Sequence, residues 1–265
     1  MSRRRLDLEL VRRGLAGSRT EAQRAVEAGS VTIAGRPATK PSTLVAPDEP
    51  IAVSGPSRRF ASRGGEKLAA ALDRFGVDAE GRRCLDAGAS AGGFTDALLS
   101  RGAAAVVAVD VGYGQLDWAL RSDPRVTVME RVNVRQLIAD RLPFRPDLVV
   151  ADLSFISLAK VIGPLAELAA PGAEFVLLVK PQFEAGREAV GRGGVVADPA
   201  VWRRSVEAVA AACRRSGLGV RGVMASPLSG PAGNVEFLLY ARDGAPDAAL
   251  DIDAAAAEAP ARRTG

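Results

Sequence analysis

The chain has 265 residues, of which 48% are hydrophobic and 25% charged, with two cysteines, no histidine and a formal net charge of +4. That length holds one α/β core and a small accessory module. The lack of histidine removes the commonest general base and metal ligand, and Cys84 and Cys213 read as separate core thiols rather than a disulfide or metal pair. No apolar run reaches membrane-spanning length, and no apolar signal core follows the basic N-terminus. The expectation is a cytoplasmic chain with no metal and no membrane partner. Charge is uneven: residues 1–63 hold 12 Lys/Arg against 6 Asp/Glu, so the remainder is slightly acidic. A basic segment ahead of a near-neutral unit suits a polyanion-binding module, with a solvated arginine-rich surface as the plain alternative.

Residues 6–28 read as two short helices. Leu6, Leu8, Leu10, Val11 and Leu15 mark the first, and Ser18 with Glu21 forms a capping box for the second. Beyond Gly29, residues 31–33 and 51–53 read as short strands around a turn at 34–37. This order, with Leu-Val-Arg-Arg-Gly-Leu-Ala-Gly-Ser-Arg-Thr-Glu-Ala and Gly-Ser-Val-Thr-Ile-Ala-Gly-Arg, resembles the S4 RNA-binding domain. The resemblance implies that Arg3, Arg5, Arg19 and Lys40 face RNA phosphates. Such contacts supply affinity and salt dependence rather than base specificity. The boundaries read as an S4-like module over 1–55 and a linker over 56–63, in which Phe60 staples the next helix.

A helix over 66–75 carries Leu68, Ala71, Leu72 and Phe75 at core spacing. Strands follow at 83–87, 105–110, 126–130, 147–152 and 174–180, with helices at 94–101, 157–170 and 200–216. Two last strands, near 219–225 and 234–241, have no helix between them. Alternating strands and helices give an α/β fold: a Rossmann-like, doubly wound, mostly parallel sheet over 64–243 with an antiparallel hairpin at one edge. Residues 244–265 read as a mobile tail with a short helix near 251–258.

Leu-Asp-Ala-Gly-Ala-Ser-Ala-Gly-Gly-Phe-Thr, residues 85–95, joins the first strand of this sheet to a helix, and the next strand ends in Asp110. Glycines there let backbone amides approach a ligand, and the distal acid can hold two ribose hydroxyls. The spacing is not that of nicotinamide enzymes and resembles the nucleoside-binding turn of S-adenosylmethionine (SAM) methyltransferases. Asp86, Gly88, Ser90 and Gly92 are the candidate contacts to the amino-acid end of that cofactor. Asp110 would take its ribose, Val111 and Tyr113 would flank its adenine, and Asn133 would read the adenine amino edge or cap a helix.

Asp152 and Lys180 end apolar strands, Glu236 sits in the last strand, and Lys67 opens the helix over 66–75. A lysine behind five apolar residues is costly unless it is paired or functional; a structural Lys180–Asp152 ion pair is the plain alternative. Together Lys67, Asp152, Lys180 and Glu236 match the K-D-K-E tetrad of FtsJ-type ribose 2′-O-methyltransferases. With Ser-Arg-Gly-Gly-Glu-Lys, Asp-Val-Gly-Tyr-Gly-Gln-Leu, Ala-Asp-Leu-Ser-Phe-Ile-Ser-Leu, Val-Lys-Pro-Gln-Phe-Glu and Ser-Gly-Pro-Ala-Gly-Asn-Val-Glu, residues 3–241 resemble the TlyA family. That family carries the names hemolysin and ribosomal RNA 2′-O-methyltransferase.

The resemblance implies methyl transfer from SAM to cytidine in 16S and/or 23S ribosomal RNA, on RNA or ribosomal subunits. As chemistry, an in-line transfer needs a hydroxyl oriented near the methyl and relieved of its proton. Lys180 can be the base if burial and the neighbouring Lys67 cation lower its pKa, with Asp152 and Glu236 orienting the amines. Phe155 is placed to stack on a target base or pack the core, and Arg187 and Arg192 lie in a glycine-rich segment that reads as a mobile RNA-facing loop, with an ordinary long turn as the plain alternative. Two readings of other classes stay open: a membrane-active hemolysin, and a non-catalytic RNA-binding ribosome assembly factor.

Overall fold

A computed structural model of the chain describes residues 3–27, 29–53 and 60–260, without the side chains of Glu21, Arg24, Arg187 and Arg192. Residues 56–59 of the expected linker, and the side chain of the expected capping Glu21, lie outside the described residues. Internal contacts separate two compact units, Met1–Ser57 and Arg58–Gly265.

In the first unit, helices Leu6–Arg12 and Arg19–Glu27 pack with a three-stranded antiparallel sheet of Arg36–Pro37, Val31–Ile33 and Ile51–Val53. Arg4–Arg5 pairs separately with Leu44–Val45. Only Leu6 and Leu10 of the five expected apolar positions enter the core, beside Ala22, Val26, Val31 and Val45. Leu8, Val11 and Leu15 are exposed, because the helix ends at Arg12 and one turn-spaced pair suffices to face so small a core. Asp7 and Glu9 are buried instead, each wrapped by arginines.

The second unit holds seven strands: β1 (Arg83–Ala87), β2 (Ala105–Asp110), β3 (Val126–Glu130), β4 (Leu148–Ala151), β5 (Glu174–Val179), β6 (Leu218–Ala225) and β7 (Phe237–Asp243). Their spatial order is 6-7-5-4-1-2-3, parallel except for β7, which runs antiparallel to both neighbours. The expected edge hairpin is present, with β7 as its inner strand. Helices α1 (Gly64–Phe75), α2 (Gly93–Ser100), α3 (Trp118–Arg121), α4 (Ile162–Leu168), α5 (Pro181–Glu184), α6 (Pro199–Arg215) and α7 (Ile252–Ala257) accompany the sheet. Strand alternation sorts the core into two layers. Cys84, Val106 and Val150 face Leu68, Leu72 and Leu98, while Leu85, Val107 and Val149 face Ile162, Leu165 and Val206.

Three expectations need correction. Glu236 lies just before β7, not within it, because the ladder to β5 begins at Phe237. The expected helix 157–170 is a 3-10 turn, Leu158–Lys160, followed by α4. Residues 244–260 dock rather than hang free: Ala248 N donates to Val220 O at 2.8 Å, and Ile252 and Ala255 of α7 are buried. Two apolar positions at helical spacing were enough to seat this alanine-rich segment.

Candidate active site

The carboxyl ends of β1, β2, β4 and β5 meet on one edge of the sheet, where an open parallel fold collects its ligand contacts. The turn after β1 is built on left-handed backbone at Gly88 (φ +91°), Ser90 (φ +47°) and Gly92 (φ +94°). Gly88 has a second constraint: a Cβ there would lie 2.6 Å from the Asp152 carbonyl oxygen. The turn thus packs directly on the end of β4, where the tetrad begins.

Asp110 is held at the end of β2 by two amides. Its Oδ2 accepts from Ser90 N at 2.8 Å and its Oδ1 from Gly112 N at 2.6 Å. Each oxygen keeps a further lone pair for a hydroxyl. Asp86 is fully buried beneath the turn and accepts from Thr95 Oγ1 at 2.7 Å, while its Oδ1 has no hydrogen-bond partner among the described residues. Burial pushes the Asp86 carboxyl up to about 7, with the Thr95 hydroxyl opposing and the Asp152 charge adding to the shift.

Val111 and Tyr113 are exposed on the loop after β2, and Arg131 stands 4.3 Å over the Tyr113 ring. Asn133 caps the 3-10 turn Val134–Gln136, its Oδ1 accepting from Arg135 N. Sequence reading passed over Gln115, which accepts from Ser90 Oγ at 3.2 Å, and Arg131, whose left-handed backbone (φ +57°) stacks it on Tyr113. Neither position has a periodicity that would mark it.

The tetrad assembles as two ion pairs. Lys67, in the first turn of α1, lies 2.5 Å from Glu236 Oε2, and both side chains are buried. Lys180 Nζ lies 2.6 Å from Asp152 Oδ1 and donates to Ser154 Oγ at 2.9 Å. The N-terminus of α1 stands beside the second pair, since a Cβ on Gly64 would lie 3.6 Å from Asp152 Oδ2. Glu236 compensates the Lys67 charge directly. Ser154 was missed, as was Asn234, which is buried and ties Gly194 O and Val196 N to the segment before β7.

Phe155 does not enter the core. Its side chain is 92% exposed, its backbone is left-handed (φ +64°), and its ring meets Phe183 at 5.3 Å. The two rings flank a groove of about 830 Å³ also lined by Arg135, Lys160 and Gln182. Arg187 and Arg192 lie on short 3-10 turns, and their side chains are outside the described residues. In the first unit, Arg5 and Arg19 bind Asp7 at 2.9 and 3.0 Å, and the Arg5 guanidinium holds that carboxyl well below the usual range. Arg3 and Lys40 are exposed.

Residues 60–243 match the family described as FtsJ-like methyltransferase, and residues 4–51 match the S4 domain. The chain therefore belongs to the FtsJ-like methyltransferases, with an S4 domain ahead of the catalytic fold. A relative from Mycobacterium tuberculosis, named 16S/23S rRNA (cytidine-2′-O)-methyltransferase TlyA, is 56% identical over 91% of each chain. Within the FtsJ-like methyltransferases this chain is thus of the TlyA family. Hemolysin A of Brachyspira hyodysenteriae is 37% identical over 89% of this chain and 98% of that one. The structure of a candidate hemolysin from Streptococcus thermophilus superposes with a TM-score of 0.76 at 38% identity, covering 97% of this chain and 96% of that one. Among the described residues, no helix is long and apolar enough to cross a membrane.

Proposed function

We propose that the chain methylates the 2′-hydroxyl of cytidine in ribosomal RNA, 16S and/or 23S, using SAM, with residues 1–55 as the RNA-binding module. The carrying observation is the Lys180–Asp152–Ser154 constellation beside a glycine turn backed by Asp110. The name of the Mycobacterium tuberculosis relative supports the same substrate.

The turn fits a nucleoside cofactor. Gly88, Ser90 and Gly92 open backbone at the amino-acid end, and Asp110 is pre-set for two ribose hydroxyls. Val111 and Tyr113 offer exposed apolar flanks, and Asn133 an amide edge for adenine. The orphaned Asp86 Oδ1 is an acceptor in reserve beneath the amino-acid end. When bound, SAM supplies an electrophilic methyl on a sulfonium.

Lys180 is the base in this reading. A neutral amine has two N–H bonds and one lone pair. Ser154 Oγ takes one N–H and Asp152 stands 2.6 Å away as the countercharge, which leaves the lone pair for the ribose O2′ proton. Lys67 and Glu236 wall the site as a compensated pair. Phe155 offers a stacking face to the target base, and Arg3, Arg5, Arg19, Lys40, Arg187 and Arg192 take RNA phosphates. Mass-spectrometric mapping of ribose methylation on both ribosomal RNAs, with and without the protein, tests this. Cytidine 2′-O-methylation that depends on the protein is the expected result. Its absence, or leakage of liposomes by the pure protein without SAM, would overturn the reading.

A further inference from the structure

Residues 152–158 and 180–184 close on each other like a zip. Lys180 holds Asp152 and Ser154, Phe183 meets Phe155, and Glu184 holds both Ser157 and Leu158. The last contact uses both carboxylate oxygens: Ser157 Oγ donates to Oε2 at 2.6 Å and Leu158 N to Oε1 at 2.7 Å. Phe183 and Glu184 lie in α5 (Pro181–Glu184) and Lys180 is the extended residue that caps it, so one short element grips the whole loop. Between the grips lies Phe155, exposed and in a left-handed conformation that a phenylalanine adopts only when its surroundings impose it.

We infer that Glu184 is a positioning residue for the target nucleotide: it clamps residues 157–158 so that Phe155 is presented as a rigid stacking face beside Lys180. A free loop would let Phe155 relax and fold its ring onto the apolar wall of the groove. The clamp resists that by pinning the residues just beyond Phe155, so the ordering of the platform precedes RNA binding. This rests on the proposed reading that an RNA nucleotide enters the groove, and it adds a residue that touches neither cofactor nor RNA.

The test uses the full chain with ribosomal subunits, measuring equilibrium RNA binding, single-turnover transfer and SAM affinity by calorimetry. Glu184→Ala is expected to weaken RNA binding about tenfold or more, the scale of one lost base–aromatic stack, with SAM affinity unchanged. Glu184→Gln should stay close to wild type, since its amide oxygen accepts from Leu158 N and its amide nitrogen donates to Ser157 Oγ. Ser157→Ala, which removes one of the two bonds, should fall between them and serves if Glu184→Ala fails to fold. Added to Phe155→Ala, the Glu184→Ala change should cost little more. Multiplying effects in that double variant, a Gln variant as poor as Ala, or parallel loss of SAM affinity would overturn the clamp. A wild-type protein that binds subunits without methylating them would instead overturn the functional reading, while the binding comparison still decides the clamp.

Discussion

Lys67 and Glu236 stand 169 positions apart in the chain, yet their side chains meet at 2.5 Å with almost no solvent exposure. The pair joins the first turn of α1 to the segment entering β7 and closes one wall of the candidate site. A buried pair costs more to break than to replace, because the survivor is left as an uncompensated charge.

Lys67→Ala or Glu236→Ala should therefore destabilise the protein by about 3–5 kcal/mol. The double variant Lys67→Met/Glu236→Leu should recover much of that loss while remaining impaired in transfer. Urea denaturation read by circular dichroism checks the stability, and losses that add in the double variant would count against the pairing.

Lys180→Ala should lower the single-turnover rate by about 10²–10⁴ while fold and SAM affinity persist. Lys180→Arg should not rescue it, because a guanidinium keeps its proton. Near-normal transfer by Lys180→Ala would leave Lys180 as a structural partner of Asp152 alone.

Asp110→Ala should weaken SAM binding at least about tenfold, on the scale of a charge-assisted hydrogen bond. It removes a ribose acceptor and also frees the Ser90 and Gly112 amides that the carboxylate now holds. Calorimetry with unchanged affinity would refute the cofactor assignment.

The buried Asp86 carboxyl sets a pH signature. Its pKa is about 7 when folded, raised chiefly by burial, whereas an unfolded aspartate titrates near 3.9. Between those values the folded chain holds the proton that the unfolded chain has lost. This group therefore costs stability progressively as pH rises from about 4 to about 7, and the cost is constant above that. Asp86→Asn should gain on wild type across that window, by on the order of 1–4 kcal/mol at pH 8. Urea midpoints at pH 5 and pH 8 check it; an equal difference at both would exclude the shift.

Arg19→Ala with Lys40→Ala should weaken RNA binding and flatten its salt dependence, by about one unit of slope for each phosphate that is no longer neutralised. SAM affinity should not change. Asp7 keeps Arg5 and Gln23 as partners after the Arg19 change, so the first unit should stay folded.

Much of this protein is written in local pattern. The apolar runs of β1, β2, β4 and β5, the glycines at 88 and 92, and the acids and lysine at strand ends follow from short-range rules: short apolar runs bounded by turns, positive φ, and the cost of a charge behind apolar residues. So the sequence determined the α/β class and the turn and marked Asp152, Lys180 and Glu236 as candidates, while Lys67 joined them only through the resemblance to the FtsJ-type tetrad. Other features depended on atoms distant in the chain. That Lys67 pairs with Glu236 and Lys180 with Asp152, rather than the four acting as one cluster, required the strand order that brings β7 beside β5. The docking of residues 244–260, the burial of Asp7 and Glu9 under arginines, and the exposure of Phe155 under the Glu184 clamp likewise have no local signature. Each depends on which partner tertiary packing supplies, and only the folded chain decides whether an apolar ring is core or platform.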